Sequence, residues 1–165
     1  MESRPTKHAY TPAHNQRLER HLYQELNRPV FFTIRAYEHS RPFERLDLAQ
    51  AVIVCLMEER NKAGCGVYAY SVLPDHAHIV AFPAIEGGDT LRFMDRFKGK
   101  STRISWAYGV KGKLWQPRSY DHILRAEESL IDVAEYTLFN SVRLGLADRW
   151  EDYPLCGLAD PMPVG

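Results

Sequence analysis

Val72-Leu73-Pro74-Asp75-His76-Ala77-His78-Ile79-Val80 places two imidazoles two residues apart inside an apolar run. Side chains alternate between the faces of a β-strand, so on a strand His76 and His78 point the same way. Two imidazoles on one face of a buried strand are half of a metal site. For this motif by itself the competing reading is a pair of strand histidines with ordinary hydrogen bonds. Pro74-Asp75 reads as a turn, which makes residues 67–72 and 76–82 the two arms of a hairpin.

Upstream, Pro29-Val30-Phe31-Phe32-Thr33-Ile34-Arg35-Ala36 is rich in β-branched and aromatic residues and reads as a first strand buried on both faces. Leu46, Ala49, Val52, Ile53, Leu56 and Met57 then recur at helical spacing until Gly64 and Gly66, which predicts a core-facing crossover helix. Downstream of the hairpin, Asp89 or Thr90 can cap a helix with Leu91, Met94, Phe97, Ile104 and Tyr108 on one side. Leu114 to Leu124 is extended and contains a fourth strand. The order strand, helix, strand, strand, helix, strand predicts an α+β fold with a ferredoxin-like split β-α-β core. In that antiparallel sheet the third strand, which carries the histidines, is central. A further helix begins at Ser129 and closes at Gly145. Residues 1–28 read as a polar N-terminal arm with a short helix around Asn15 to Leu26, 29–153 as one domain and 154–165 as a C-terminal tail.

The 165 residues suffice for one domain with a real core, and the apolar runs fall short of the ~18 residues of a membrane span. With no apolar stretch resembling a signal peptide near the start, a cytoplasmic location is the expectation. Cys55, Cys65 and Cys156 are odd in number and widely spaced, which argues against a disulfide framework or a zinc clip. Basic and acidic residues balance at 21 each, so overall charge says nothing about nucleic acid. Their distribution does. Between Asp89 and Arg125 lie Arg92, Arg96, Lys98, Lys100, Arg103, Lys111, Lys113, Arg118 and Arg125 against three aspartates, with Trp106, Tyr108, Trp115 and Tyr120 nearby. Phosphates need cations and unpaired bases need flat faces, so Arg92, Arg96, Lys98, Arg103, Arg118 and Arg125 are candidate contacts to single-stranded nucleic acid. The alternative is a solvated helix face over core aromatics.

On the last helix, Leu130, Ala134, Thr137, Leu138, Ser141 and Gly145 form one side at about 100° per residue, and Ser129, Asp132, Tyr136, Asn140 and Arg143 the other. Tyr136 therefore sits on the polar side, one turn from an amide and two turns from an arginine. A half-exposed surface tyrosine is the plain alternative.

Three blocks together carry a resemblance: Leu73-Pro74-Asp75-His76-Ala77-His78, Trp115-Gln116-Pro117-Arg118-Ser119-Tyr120-Asp121-His122-Ile123-Leu124-Arg125, and Glu135-Tyr136-Thr137-Leu138-Phe139-Asn140-Ser141-Val142-Arg143-Leu144-Gly145-Leu146. In order and spacing they resemble the REP-associated tyrosine transposases, single-tyrosine HUH enzymes of the insertion-sequence type. The resemblance implies that Tyr136 is the nucleophile and that His76, His78 and Asn140 ligate a divalent metal, Mg2+ or Mn2+. Mixed imidazole and amide ligation is soft for magnesium and suits manganese better. It implies metal-dependent cleavage and joining of single-stranded DNA through a 5′-phosphotyrosine, at palindromic repeats that fold into hairpins. Ala77 is smaller than the family's usual middle residue, and Ser141 stands where a proline is frequent. Neither change removes a reacting group, and His122 is given no catalytic role.

Two other readings compete. One is a ferredoxin-like single-stranded nucleic-acid-binding protein with a vestigial metal site. The other is a hydrolytic metalloenzyme, weakened by the lack of further spaced metal-binding residues beside His-x-His. A monomer closing the site with its own last helix and a homodimer exchanging that helix are both compatible with the sequence.

Overall fold

The computed structural model describes residues 19–163. Its elements are β1 (Val30–Arg35), α1 (Leu46–Lys62), β2 (Cys65–Leu73), β3 (His76–Pro83), α2 (Thr90–Trp106), β4 (Tyr120–Ile123), α3 (Leu130–Arg143) and β5 (Cys156–Leu158), with short 3-10 turns between them. The strands form one antiparallel sheet in the order β4-β1-β3-β2-β5. The first four strands thus have the expected split β-α-β arrangement, with β3 at the centre. Among the described residues no helix is long and apolar enough to cross a membrane.

Local chemistry sets the boundaries. Asp89 caps α2 by accepting from the backbone N–H groups of Leu91 and Arg92, and Ser129 caps α3 by accepting from that of Asp132. Gly64 ends the α1 connection at φ +67°, a conformation that a side chain resists.

Strand alternation divides the core into two layers. Val30, Phe32 and Ile34 of β1 and Ala77, Ile79 and Ala81 of β3 face α1 and α2, where they pack with Val52, Leu56, Phe93 and Phe97. Each large apolar side chain buried there contributes about 1.5–3 kcal/mol. Phe31 and Val80 face the other way, with Val133 and Ala134 of α3 over them. His76 and His78 share that second face with Val80, because residues two apart on β3 lie on one side.

Two segments outside residues 29–153 also pack onto the sheet and its core. Within the expected arm, residues 1–28, Tyr23 on the 3-10 turn Arg20–Tyr23 is fully buried in the core and donates its hydroxyl to Asp121 at 2.9 Å. The N-terminal part of the helix expected from Asn15 lies outside the described residues. In the expected tail, β5 pairs with β2, and Asp160 accepts from the N–H of Val67 at 2.7 Å while ion-pairing with Arg60 at 2.9 Å. A three-residue Cys-Gly-Leu strand carries too little periodicity to be seen in advance.

Candidate active site

The histidine face of β3 meets the Tyr136 flank of α3. The rings of His76 and His78 lie 4.8 Å apart, centre to centre, at 83°. Phe31 stacks on His78 at 5.2 Å and 20°, and the Tyr136 ring stands edge-on to both, 5.8 Å from His78 and 5.9 Å from Phe31. The tyrosine is thus brought against the imidazole pair within one chain. The polar side of α3 is directed at the polar part of the sheet, where Tyr136 is half-buried and Asn140 is only 7% exposed.

Each histidine is oriented through Nδ1. His76 Nδ1–H donates to Asp75 at 2.6 Å; a carboxylate can only accept here, so Nε2 keeps the lone pair. Nδ1 of His78 shares a hydrogen bond with the Thr33 hydroxyl at 3.0 Å. Burial lowers the pKa of both imidazoles, and that of His78 falls well below 6.5. The nearby positive charges of Arg143 and Arg35 push His78 further in that direction. Neutral imidazole is the form that binds a metal.

The amide nitrogen of Asn140 donates to the Tyr136 carbonyl at 3.0 Å, which leaves its oxygen for another partner. Among the described residues Asn140 bonds to neither imidazole. No group of three or more histidine, cysteine, aspartate or glutamate side chains among them is placed to hold a metal ion. A third protein donor beside the imidazole pair would therefore be of another kind. Ser71 lies directly across from His78 in the β2–β3 register, and its buried hydroxyl has no hydrogen-bond partner among the described residues.

Two arginines border the tyrosine, and neither was singled out as a binding residue from the sequence. Arg143 places its guanidinium 4.2 Å from the centre of the Tyr136 ring and donates to the Tyr136 carbonyl. Arg35 closes β1 opposite His76 in the β1–β3 register and is exposed. Burial raises the Tyr136 pKa, while Arg143 and Arg35 oppose the rise. Only the strand register could have revealed Arg35; the seven-residue spacing of Tyr136 and Arg143 was visible on a helical projection.

The six candidate nucleic-acid contacts are spread widely. Arg92, Arg96, Lys98 and Arg103 belong to α2, which packs on the sheet face opposite the histidines. Arg96 Nε donates to the buried Glu59 at 3.0 Å, and Lys98 donates to the Pro117 carbonyl at 3.1 Å. Arg118 and Arg125 are exposed on either side of β4, the edge strand beside β1. His122 of β4 bonds through Nε2 to Glu128 at 2.7 Å, and Glu128 also accepts from the Arg125 N–H at 3.0 Å. This ties the end of the strand to the lead-in of α3.

No family model matches the chain. Among curated proteins it is 30% identical over 88 residues to the REP-associated tyrosine transposase of Escherichia coli K12, an alignment covering 53% of this chain and 51% of that protein. The chain spans about half the length of this relative. In fold it is similar to a REP-associated tyrosine transposase solved bound to a REP hairpin, with a TM-score of 0.68, 22% identity, and 86% of this chain and 82% of the other covered. A crystal structure of a transposase candidate from Deinococcus radiodurans is also similar, with a TM-score of 0.51 and 17% identity over 66% of this chain and 86% of the other. Both the curated relative and the solved complex are of the kind that the three sequence blocks resemble.

Proposed function

We propose that this chain is a transposase of the REP-associated tyrosine type, which cuts and rejoins single-stranded DNA at palindromic repeat hairpins with Tyr136 as the nucleophile. The observation that carries the reading is the contact of the Tyr136 ring with His78, closed within one chain by α3. The Escherichia coli relative bears that name, and the solved complex holds a REP hairpin.

In this reading the phenol oxygen attacks the scissile phosphorus. A bond forms between Tyr136 Oη and phosphorus, the bond from phosphorus to the 3′ oxygen breaks, and its electron pair leaves with that oxygen. The phenol proton passes to solvent and the 3′ oxygen takes one up. The products are a 5′-phosphotyrosine and a free 3′-hydroxyl. Because the phosphodiester energy is kept in the protein linkage, the reverse step joins another 3′ end without a nucleotide cofactor.

The donor set fits a divalent cation. Asp75 and Thr33 engage Nδ1 of the two histidines, so Nε2 of His76 and His78 would serve as ligands, with the amide oxygen of Asn140 as the third. The unpartnered Ser71 hydroxyl beside His78 is consistent with a polar occupant there. When bound, Mg2+ or Mn2+ would polarise the scissile phosphate as a Lewis acid. Phe31 holds the His78 ring flat and positions Tyr136 edge-on beside it.

Tyr136→Phe tests the nucleophile, because the phenyl ring keeps its contacts with Phe31, His78 and Arg143. Wild type incubated with manganese and a hairpin oligonucleotide bearing a single-stranded flank should give a protein–DNA species that survives denaturation. The phenylalanine variant should bind the oligonucleotide and form no such species. Adduct formation by the variant would remove Tyr136 from the mechanism. Binding without an adduct by wild type, on every hairpin tried, would favour a nucleic-acid-binding protein with a vestigial site.

A further inference from the structure

We infer that Arg35 and Arg143 form a two-sided clamp for the phosphodiester that Tyr136 attacks, an assignment that rests on the function proposed above. The two residues reach the site from different elements. Arg35 is the last residue of β1, opposite His76 in the sheet, and among the described residues its guanidinium has no hydrogen bond or ion pair. Arg143 is the last residue of α3 and folds back two turns to cover the Tyr136 ring at 4.2 Å. One of its five N–H groups goes to the Tyr136 carbonyl, leaving most of the fork for another acceptor.

The chemistry of the setting selects the ligand. Two guanidinium groups and a phenol supply donors and positive charge here, with Asp75 already engaged by His76. Arginine recognises phosphate oxygens through paired N–H groups. A phosphodiester gains negative charge on its non-bridging oxygens as the phenol oxygen approaches, so a fixed cation on each side stabilises that state more than the resting one. The stacking of Arg143 on the ring has a second effect: it restrains the plane of the phenol. The α2 arginines cannot do this from the far face of the sheet.

The test compares wild type with Arg35→Ala, Arg143→Ala and Arg143→Lys on two oligonucleotides. One is the ordinary hairpin, and the other carries a neutral methylphosphonate at the cleaved position mapped with wild type. On the ordinary hairpin each alanine variant should form the covalent adduct roughly 10²-fold or more slowly, with hairpin affinity little changed. Arg143→Lys should recover only part of the rate, since an ammonium lacks the fork. On the methylphosphonate the alanine variants should fall far closer to wild type, because one of the two charged oxygens that the clamp holds is gone. Equal slowing on both substrates would reduce the arginines to structural supports, and full activity on the ordinary hairpin would remove them from the site; either overturns the clamp. Failure of the nucleophile reading looks different, since wild type then forms no adduct. In that case the clamp is judged by NMR, with inorganic phosphate as the probe. Phosphate should shift the imidazole signals of His76 and His78 in wild type and not in the double alanine variant. Equal shifts in both proteins would overturn it.

Discussion

Replacing His78 with alanine should damage the fold as well as the site, and by an amount the structure allows to be estimated. The imidazole is 5% exposed, stacks on Phe31 at 5.2 Å, touches the edge of Tyr136 at 5.8 Å and shares a hydrogen bond with Thr33 at 3.0 Å. Each ring pair is worth about 0.5–1.5 kcal/mol beyond its area. The Thr33 hydroxyl, itself buried, would be left without its partner at a cost of about 1–3 kcal/mol. Relief of burying a polar ring offsets part of this, so the net loss is about 3 kcal/mol. For a chain of this size that corresponds to a fall in Tm of about 6–12 °C. His76 differs: it begins β3, and its bond goes to Asp75, whose side chain is 38% exposed. His76→Ala should cost about 1 kcal/mol, or about 2–4 °C. Thermal melts followed by circular dichroism, with chelator present so that metal binding adds nothing, would measure both. If the two variants melt together within about 2 °C of wild type, the burial argument is refuted. A site test therefore uses His78→Gln, which keeps volume and a polar end, since lost activity in His78→Ala would not report on ligation alone.

Two further outcomes follow from the layering and from the buried charges. Neutralising Arg118 and Arg125, on either side of the edge strand β4, should each flatten the salt dependence of hairpin binding by about one unit of slope, whereas Arg92→Gln and Arg103→Gln on α2 should leave it unchanged; the reverse pattern would place the DNA across α2. Glu59 is 2% exposed and ion-paired with Arg96, Lys100 and Lys62, which outweigh burial and hold its pKa below 4.5. A carboxylate depressed on folding stabilises fully above its unfolded pKa and loses that contribution as pH falls through the folded value. Glu59→Gln should thus lower Tm near neutral pH and narrow its difference from wild type below about pH 4.5; a constant difference across that range would refute the linkage.

The strand and helix order was legible because each element announces itself locally. The alternation in β3, the cap at Asp89 and the stop at Gly64 all act within a few residues. What depends on distance in space was not. The α2 arginines looked like a free basic face, but Arg96 and Lys100 converge on Glu59 of α1 because the two helices pack side by side. Helical projection put Tyr136 and Asn140 on one polar side, but only the fold shows that this side meets His78. Arg35 read as the end of an apolar strand, and only the register with β3 sets it beside His76. Tyr23 lay in a polar stretch whose composition hid one fully buried ring.

The sheet carries a polar line where a purely structural protein would place apolar side chains. The register aligns Tyr120 of β4, Thr33 of β1, His78 of β3, Ser71 of β2 and Cys156 of β5 in one row across all five strands. The next row, His122, Phe31, Val80, Ala69 and Leu158, is mostly apolar and supports the Val133–Ala134 part of α3. Thr33, His78 and Ser71 are all buried, and a buried polar group weakens a fold unless it is hydrogen-bonded. Thr33 and His78 satisfy each other, while the Ser71 hydroxyl has no hydrogen-bond partner among the described residues. The opposite face, with Ala77, Ile79 and Ala81 against α1 and α2, supplies the apolar packing that lets such a row persist. The alternation of a single central strand thus separates the two demands: odd positions hold the domain together, and even positions hold two neutral imidazoles rigidly beneath a tyrosine.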